Sequence, residues 1–319
     1  MSGKRGWRPW ALVAVVIACG ALPLVAPNDY LIQILFRIAL FAGLGLAWNL
    51  VGGYAGQLSL GHVAFFGVGA YGLALLTAFS ERPWLSFFLA ALAATVFAGI
   101  IGRIVFRLRG PYFTLATIAF AEVLRLSATN LNLTGGAIGL GTPALFTGRS
   151  VWTLFYLSAV GLALIAFLVN FHVARSRFGY YLMAIREDEE TASAVGIDTA
   201  SCKLRSLLIS AFLTALGGAL YGSAFQFIVP DSVLTIDISL QMAIVTMLGG
   251  AGSLSGPVVG AILLLGAAEI FKNQFRESHL LIYGVLIVLV VLFLPEGIVG
   301  GLGQHLRGRR SARLLRREA

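Results

Sequence analysis

The sequence predicts an all-α, polytopic integral membrane protein with about 8–10 transmembrane helices and with both termini on the cytoplasmic side. Three observations support this fold class. Of the 319 residues, 58% are hydrophobic and only 12% are charged, and the mean hydropathy is +0.89, whereas soluble domains carry about 25% charged residues. Apolar runs of helix length recur along the chain. Lys and Arg are concentrated on alternate connections between these runs, as membrane topology requires.

Ten apolar segments follow one another, and most can cross a bilayer as a helix with a rise of about 1.5 Å per residue. They cover residues 10–26, 30–51, 58–79, 84–106, 112–128, 151–173, 207–229, 238–248, 254–271 and 280–294. Segment 238–248 is too short for a full span, which predicts a tilted or broken helix or half of a re-entrant hairpin. Segment 10–26 also fits a signal peptide, but the distribution of Lys and Arg holds when it is kept as the first helix.

Lys and Arg are unevenly distributed between the two sides, and short cytoplasmic loops are the ones they enrich. With the N-terminus inside, seventeen lie on the inner side and four on the outer side. The inner residues are Lys4, Arg5, Arg8, Arg103, Arg107, Arg109, Arg175, Arg177, Arg186, Lys203, Arg205, Arg307, Arg309, Arg310, Arg313, Arg316 and Arg317, and the outer ones are Arg82, Arg149, Lys272 and Arg276. The net charge of +9 is therefore mainly a topology signal. Nucleic acid is not expected as a partner, and the basic tail 303–319 predicts contact with membrane lipid or with another protein.

One long polar segment, residues 175–205, interrupts the apolar pattern on the inner side. It contains five Lys or Arg residues and a run of acidic residues from Glu187 to Glu190. The pattern predicts one short helix over 183–196 whose early acidic residues complement the positive end of its dipole. A membrane protein needs so long a polar segment only if the segment meets something in water, so we expect it to bind a second protein.

Polar side chains within the apolar runs are the next candidates for function. Glu122 and Arg125 are three residues apart and lie on one helical face, which predicts either a structural ion pair or a place on a translocation path or gate. Gln57, Ser59 and His62 lie at the start of the third run. They either line such a path or satisfy the backbone where glycines break a helix. The outer loop 129–150 is predicted to be a gate, a docking surface or a flexible connector.

Glycine marks two further features. Gly252, Gly256 and Gly260 are spaced by four residues, which predicts one helical face where two helices pack closely. Two segments also resemble each other: the first glycine segment (residues 52–59, GGYAGQLS) and the second glycine segment (residues 249–255, GGAGSLS). Their similarity reflects either an internal duplication, as many transporters have, or the composition of glycine-rich helices.

Several kinds of chemistry are not predicted. Lys4, Lys203 and Lys272 do not lie in the Gly-x-x-x-x-Gly-Lys-[Ser/Thr] pattern that holds phosphates, so we expect no ATP hydrolysis by this chain. The four histidines form no His-Glu-x-x-His zinc motif, and no Gly-x-Ser-x-Gly nucleophile turn is present. The sequence therefore predicts neither an enzyme nor a metal site, and no cofactor held by the chain itself.

Five sequence blocks, ordered along nearly the whole chain, resemble one known family. They are GGYAGQLSLGHVAFFGVGAY (52–71), LRGPYFTLATIAFAEVLRL (108–126), LTGGAIGL (133–140), AIREDEETASAVGID (184–198) and MLGGAGSLSGPVVGAILL (247–264). Within the fourth, Glu190, Ala192 and Gly196 follow the Glu-x-Ala-x-x-x-Gly outline of the loop that importer permeases present to their ATPases, with Thr191 where the first Ala usually stands. Together the blocks resemble the LivM-type permease of branched-chain amino acid ABC importers.

The resemblance implies a single transmembrane permease domain, 1–319, in a bacterial inner membrane, with a coupling loop at 174–205. It also implies a LivH-like second permease, two cytosolic ABC ATPases that use ATP, and an extracytoplasmic substrate-binding protein. The residues expected to couple the chain to the ATPases are Arg186, Glu187, Asp188, Glu189, Glu190 and Gly196. The alternative for the acidic residues is a solvated helix face.

Branched-chain amino acids are the substrates that the resemblance implies, and urea, short amides or aromatic acids are the alternative, since close relatives transport them. An ion-coupled secondary transporter is a second alternative, because it would also have glycine-broken helices and could use Glu122 as its coupling carboxylate. The long polar segment on the inner side favours the ATP-driven system.

Overall fold

The computed structural model describes residues 28–148 and 150–274, with residues 284, 297 and 298. The predicted run 10–26 and the basic tail 303–319 lie outside these residues, as does the run 280–294 apart from residue 284. Nearly all of the described chain is helical, and its only two strands are two residues each. The prediction of an all-α fold is confirmed.

The helices follow one another in the order of the apolar runs. They are α1 (Asp29–Trp48), extended by a π-helical turn (Asn49–Tyr54), α2 (His62–Ser80), α3 (Pro83–Val105), α4 (Pro111–Asn130), α5 (Val151–Arg175), α6 (Arg177–Glu187), α7 (Glu189–Ala194), α8 (Thr199–Phe225), α9 (Pro230–Val233), α10 (Ile236–Gly249) and α11 (Gly256–Gln274). A 3-10 turn (Asn132–Thr134) follows α4. Strand β1 (Leu140–Gly141) pairs antiparallel with β2 (Phe227–Ile228).

Six segments of the described chain are long and apolar enough to cross a membrane: α1 with its π-helical turn, α2, α3, α5, α8, and α9 with α10. The chain is therefore a multi-pass membrane protein. Helices α4 and α11, with 20 and 19 residues, have helix length as well. The short apolar run 238–248 is part of a broken helix, because α9 and α10 are separated at Leu234 and Thr235.

Helix α8 lies at the centre of the bundle and packs against α1, α2, α3 and α5. Its partner on one side is α2, and the two backbones approach closely where glycine replaces a side chain. A Cβ at Gly218 would overlap the carbonyl oxygen of Phe66, and a Cβ at Gly69 would overlap that of Ala215. Small residues allow this approach, so these two positions fix how α2 and α8 cross.

Two sequence predictions for the polar segment were wrong in their boundaries. The single helix expected over 183–196 is two helices, since Asp188 adopts an extended conformation and caps α7. Helix α8 begins at Thr199, eight residues before the apolar run that predicted it, because Asp198 caps its first turn. In both places an aspartate, whose side chain can accept a backbone N–H, starts a new helix.

The connection between α3 and α4, with Arg107 and Arg109, lies at the same end of the bundle as α6 and α7, where Arg109 contacts Glu190. We call this the arginine-rich end. Both glycine segments lie there too, because Arg186 contacts each of them. The β1–β2 pair lies at the opposite end, beyond the last turn of α8. This places the helix breaks and the polar segment on one side of the membrane.

Candidate functional site

The extended connection between α1 and α2 passes beside other helices, and their side chains satisfy its backbone. Backbone groups inside a membrane protein need such partners because lipid offers none. The bonds are Trp48 Nε1 to the Ser59 carbonyl (2.7 Å), Thr114 Oγ1 to the Leu58 carbonyl (2.8 Å) and the Leu60 amide to Thr117 Oγ1 (3.2 Å). They allow α1 to end and α2 to begin within the bundle.

Ser59 and His62 belong to this support. Both side chains are buried, at 1% and 0% exposure. His62 Nδ1 lies 3.0 Å from Ser59 Oγ, and His62 Nε2 lies 2.9 Å from Ser210 Oγ, which itself donates to the carbonyl of Ala47. These bonds join buried side chains to one another, and both interpretations open from the sequence stay predictions for these two residues.

Gln57 has different surroundings. It is half-buried and lines an open groove of about 500 Å³ between the first glycine segment and the start of α4, together with Thr114 and Leu115. Its Nε2 donates to the carbonyl of Ala55 at 3.4 Å. The structure therefore separates Gln57, which faces open space at the arginine-rich end, from Ser59 and His62 in the interior.

The two glycine segments lie side by side, and the buried Asn49 joins them. Its Oδ1 accepts the amide of Gly252 at 2.8 Å, and its Nδ2 donates to the carbonyl of Ser253 and to Asn170 Oδ1, both at 3.1 Å. A Cβ at Gly53 would overlap Asn49 Oδ1 and press on the Gly252 amide. The two segments that resemble each other in sequence are therefore also in direct contact, at the two helix breaks.

Arg186, at the end of α6, reaches both breaks at once. Its Nη1 donates to the carbonyl of Gly53 at 2.8 Å and lies 3.5 Å from the carbonyl of Ala251. The side chain fills space that only glycine leaves free, because a Cβ at Gly252 would lie 2.6 Å from Nη1 and one at Gly56 would lie 2.8 Å from Cγ. Arg186 therefore connects the polar segment to the two helix breaks, one between α1 and α2 and the other between α10 and α11.

The polar segment is ordered by three side chains that cap helices. They are Ser176 Oγ accepting from the Gly179 amide (3.2 Å), Asp188 Oδ1 from the Thr191 amide (2.7 Å) and Asp198 Oδ1 from the Ser201 amide (3.0 Å). The Thr191 amide lowers the pKa of Asp188, and hydrogen bonds from the side chain and amide of Ser201 lower the pKa of Asp198. Asp188 is thus a cap within the segment, which gives it a structural role of its own.

The other acidic residues differ from one another. Glu189 Oε1 accepts from Lys203 Nζ at 2.6 Å, and the Lys203 side chain is only 1% exposed, so this pair holds α7 against α8. Glu190 pairs with Arg109 at 2.8 Å, but both side chains are more than 60% exposed. Such surface pairs contribute about 0–1 kcal/mol. Glu187 is exposed, so Glu187 and Glu190 are the acidic residues available to a partner.

Apolar side chains are exposed beside these charges. Tyr180, Met183 and Val195 are 64%, 47% and 73% exposed. Val195 and Gly196 also line an open cavity of about 600 Å³ with Tyr181 and neighbouring residues of α8. Gly196 has a φ of +90°, in the region that favours glycine, and no atom lies within 4 Å of where its Cβ would be. We call this surface of α6, α7 and the Gly196 turn the α6–α7 surface.

A second group of charges lies on α4. Arg125 binds Glu122 through Nε and Nη2 (3.0 and 2.6 Å) and binds Asp231 of α9 through Nη1 (2.6 Å). Glu122 and Asp231 are 49% and 75% exposed, and exposed Leu115 and Leu126 share the face with Glu122. A charge at mid-bilayer costs about 3 kcal/mol on insertion scales, which argues against a lipid-facing position. The exposed face of α4 therefore meets water or another protein.

The three glycines predicted to share a helical face do not all lie on one helix. Gly256 and Gly260 are in α11 and approach the backbone of α10, where a Cβ at Gly260 would overlap the carbonyl of Val245. Gly252 lies before α11, with a φ of +79°. That part of the prediction was wrong, because the residue serves the turn and the contact with Arg186.

The loop after α4 is tied to the outer end of α8. Its Thr142 Oγ1 donates to the Gly222 carbonyl, and Ser223 Oγ both donates to the Pro143 carbonyl (2.9 Å) and accepts from the Leu145 amide (2.8 Å). The two-stranded β1–β2 pair adds further bonds. A flexible connector was one expectation for this loop, and these contacts are those of a fixed surface instead.

Sequence reasoning missed four residues of these sites: Asn49, Asn170, Lys203 and Asp231. Asn49 and Asn170 are single amides within apolar runs, a signal that could have found them because a polar side chain at that depth needs a partner. Asp231 follows Pro230 in a segment that reads as a loop, and only the return of α9 to α4 brings it to Arg125. Within the described ranges, no group of His, Cys, Asp and Glu is arranged to hold a metal ion.

Comparison with known proteins gives consistent relatives. A family model described as "Branched-chain amino acid transport system / permease component" matches residues 30–291. The High-affinity branched-chain amino acid transport system permease protein LivM of Escherichia coli (strain K12) is 31% identical over 318 residues, covering 90% of this chain and 74% of that protein. The High-affinity branched-chain amino acid transport system permease protein LivH of Salmonella typhimurium is 25% identical over 285 residues, covering 82% of this chain and 91% of that protein. BraD of Pseudomonas aeruginosa is 27% identical over 286 residues, also covering 82% and 91%.

Proposed function

The chain belongs to the family of branched-chain amino acid transport system permease components, and we propose that it imports branched-chain amino acids across a bacterial inner membrane. In this proposal the chain is one of two permeases, and substrate crosses between it and a LivH-like partner. Two cytosolic ATPases hydrolyse ATP, and an extracytoplasmic binding protein delivers the substrate. The chain itself holds no cofactor and catalyses no reaction.

The observation that carries the proposal is the contact of Arg186 with both helix breaks. The α6–α7 surface lies at the arginine-rich end, where the positive-inside rule places the cytoplasm. A protein bound there touches Glu187, Glu190 and exposed apolar side chains on one side of a short helix pair, while Arg186 touches both helix breaks on the other. Movement of a bound ATPase is therefore transmitted to the membrane helices directly, through the side chain of Arg186.

Each of the expected coupling residues has a distinct part in this scheme. Glu187, Glu190 and Gly196 meet the ATPase. Glu189 and Asp188 keep the helix pair in place, through Lys203 and through the cap on α7. Arg186 transmits movement to the glycine segments. The division predicts that exposed positions affect assembly with the ATPase, whereas Arg186 affects coupling after assembly.

The translocation path follows the exposed face of α4 in this proposal. Glu122 and Arg125 lie halfway along that face, and the groove with Gln57 opens at its arginine-rich end. The covering surface is the second permease, since an exposed charge cluster excludes lipid. Substrate then passes between two proteins, with the fixed loop after α4 at its entrance.

The test is co-purification from the native membrane, followed by uptake of radiolabelled leucine into vesicles with and without internal ATP. Recovery of a second permease and ATPases, with ATP-dependent uptake, is the expected result. Uptake driven by an ion gradient in the absence of ATPases would show a secondary transporter instead. A complete complex that ignores leucine would keep the ATP-driven mechanism and direct the search to urea, short amides and aromatic acids.

The α6–α7 surface has a test of its own. Gly196→Pro, or reversal of charge at Glu187 and Glu190, is expected to reduce recovery of the ATPases with the permease. The matched control is Glu81→Lys, a charge reversal at the opposite end, where Glu81 ends α2. Wild-type assembly and uptake in the surface variants would contradict this role of the helix pair.

A further inference from the structure

The ion cluster on α4 is not electrically balanced. It contains two carboxylates, Glu122 and Asp231, and one guanidinium, Arg125, so it carries a surplus of one negative charge. In the described part of the chain, Arg125 is the one cation that forms a salt bridge with either carboxylate. Glu122 lies about 17 Å along α4, a helix of about 30 Å, and Asp231 is the second residue of the span Pro230–Gly249, so the surplus charge lies towards the end of the bundle opposite the arginine-rich end.

Hydrogen-bonding capacity is also left over. The bonds of Arg125 to Glu122 and Asp231 use three of the five N–H groups of a guanidinium, and one N–H on each terminal nitrogen remains. Asp231 accepts through Oδ1, and its side chain is 75% exposed. The cluster therefore offers free donors beside free acceptors, the combination that a ligand carrying both charges requires.

A separate observation from α2 points to the same place. Tyr71 is 5% exposed, and within the described chain its hydroxyl has no hydrogen-bond partner. One turn before it on α2, Gly67 packs against Leu234 and the carbonyl of Val233, at the end of α9. A buried hydroxyl without a partner is unfavourable, and this one lies on the helix against which α9, the element that carries Asp231, is packed.

We propose that Asp231, Glu122, Arg125 and Tyr71 form one wall of a binding subsite for the charged end of an α-amino acid. The α-ammonium group binds the two carboxylates and neutralises the surplus charge. The α-carboxylate binds the remaining N–H groups of Arg125, and the Tyr71 hydroxyl, which has almost no exposed surface, bonds to the ligand once the side chains over it move aside. Exposed Val123 and Leu126 on the same helix provide an apolar wall for an aliphatic side chain. The assignment rests on the proposed function, whose substrate it locates.

The experiment measures binding to the purified permease–ATPase complex without its binding protein, by saturation-transfer NMR. The probes are leucine, leucinol, which has the ammonium group but no carboxylate, and isocaproate, which has the carboxylate but no ammonium group. Because the cluster is net negative, leucine is expected to bind best, leucinol next and isocaproate least. Equal binding of leucinol and isocaproate, or no binding of leucine by a complex that imports it, would overturn the subsite and leave the proposed function intact.

Two substitutions and their controls test the residues. Asp231→Asn removes the surplus charge and is expected to weaken leucine and leucinol about tenfold, while isocaproate is unchanged or binds better. Tyr71→Phe is expected to weaken leucine a few-fold without changing the order of the probes. Asp237→Asn, at an exposed position in the first turn of α10, and Tyr54→Phe, which removes another buried unpartnered hydroxyl, are expected to leave all three probes unchanged.

A structural role for the cluster would give another pattern. If Asp231→Asn lowered the thermal stability of the complex or released the second permease while leucine binding stayed at the wild-type level, the surplus charge would serve the protein interface, and the subsite would be wrong. Binding of leucinol and leucine by a complex that imports neither leucine, isoleucine nor valine would support the subsite and overturn the proposed substrate.

Discussion

Two polar regions within the membrane-spanning part of this protein differ in how completely their groups are paired. Around the helix breaks, Asn49, Ser59, His62 and Asn170 are buried, and each bonds to partners on other elements. On α4, the cluster around Arg125 is exposed and carries a surplus charge. The pairing of these four side chains is what a permanent structure needs, whereas the buried hydroxyl of Tyr54, in the first glycine segment, has no partner within the described chain. Incomplete pairing at membrane depth marks a surface that meets something else.

This difference leads to an expectation about phenotypes. Substitutions in the interior region should lower the stability of the complex and reduce transport only as a consequence. Those on α4 should change transport or binding with little change in stability. Arg186 stands between the two classes, because it is partly exposed and still bonds to the interior breaks. The following substitutions are ordered from the largest expected effect to the smallest.

Gly218→Ala should have the largest effect, because its Cβ would overlap the backbone of α2 at Phe66. Overpacking of this kind costs about 3 kcal/mol, and here the obstacle is backbone that cannot move aside. Thermal unfolding of the purified complex in detergent measures the loss. Gly161→Ala is the control, since no atom lies within 4 Å of its Cβ position. Equal stability of the two variants would show that α2 and α8 are not held by this contact.

Asn49→Ala should come next. It leaves the Gly252 amide and the Ser253 carbonyl without the partner that joins the two breaks, at a cost of about 2 kcal/mol. Thermal unfolding again measures the effect, with Asn130→Ala as the control because the Asn130 side chain is exposed and bonds within its own helix. If the Asn49→Ala complex were stable but had lost transport, the distinction between the two regions would be wrong, because the interior region would then have a direct role in function.

The contrast between these residues also shows what the sequence can predict. Helix positions and topology follow from hydropathy and from the distribution of Lys and Arg, because both depend only on local composition. The ion pair of Glu122 and Arg125 follows from their spacing on one helix. The contacts of Asn49 with Gly252, and of Arg125 with Asp231, join residues more than 100 positions apart, so no local pattern contains them.

The predicted role of Gln57, Ser59 and His62 shows the same limit within three neighbouring positions. From the sequence they form one polar cluster, with two interpretations open. Folding separates them, since Trp48, Thr117 and Ser210 surround Ser59 and His62 while Gln57 faces the open groove. Contacts with helices that are distant in sequence decide which of these polar residues is enclosed, and local composition does not contain that information.

Arg186→Ala should have an intermediate effect, and the quantity that it lowers is the coupling of uptake to ATP hydrolysis. Loss of its bonds to the two glycine segments is expected to reduce ATP-driven leucine uptake about tenfold, the equivalent of about 1.4 kcal/mol, while the ATPases still assemble and hydrolyse ATP. Uptake per ATP hydrolysed in proteoliposomes is the measurement. Arg109→Ala is the control, because Arg109 lies in the same region and pairs with exposed Glu190. Equal loss of uptake and ATPase activity in Arg186→Ala would place the residue in assembly and not in transmission.

The caps of the polar segment should give the smallest effect, and one that depends on pH. The pKa of Asp188 is lowered in the folded protein by the Thr191 amide. Its stabilising effect is therefore fully present above the unfolded value of about 3.9 and is lost as the pH falls through the folded-state pKa. Asp188→Asn keeps a good capping residue and removes the titration. Hydrogen exchange at the Thr191 amide, corrected for the intrinsic rate, should thus lose protection at acid pH in the wild type and stay constant in Asp188→Asn. If both proteins lost protection of the Thr191 amide equally at acid pH, the loss would come from a titrating group other than Asp188, and the pH dependence assigned to this cap would be wrong.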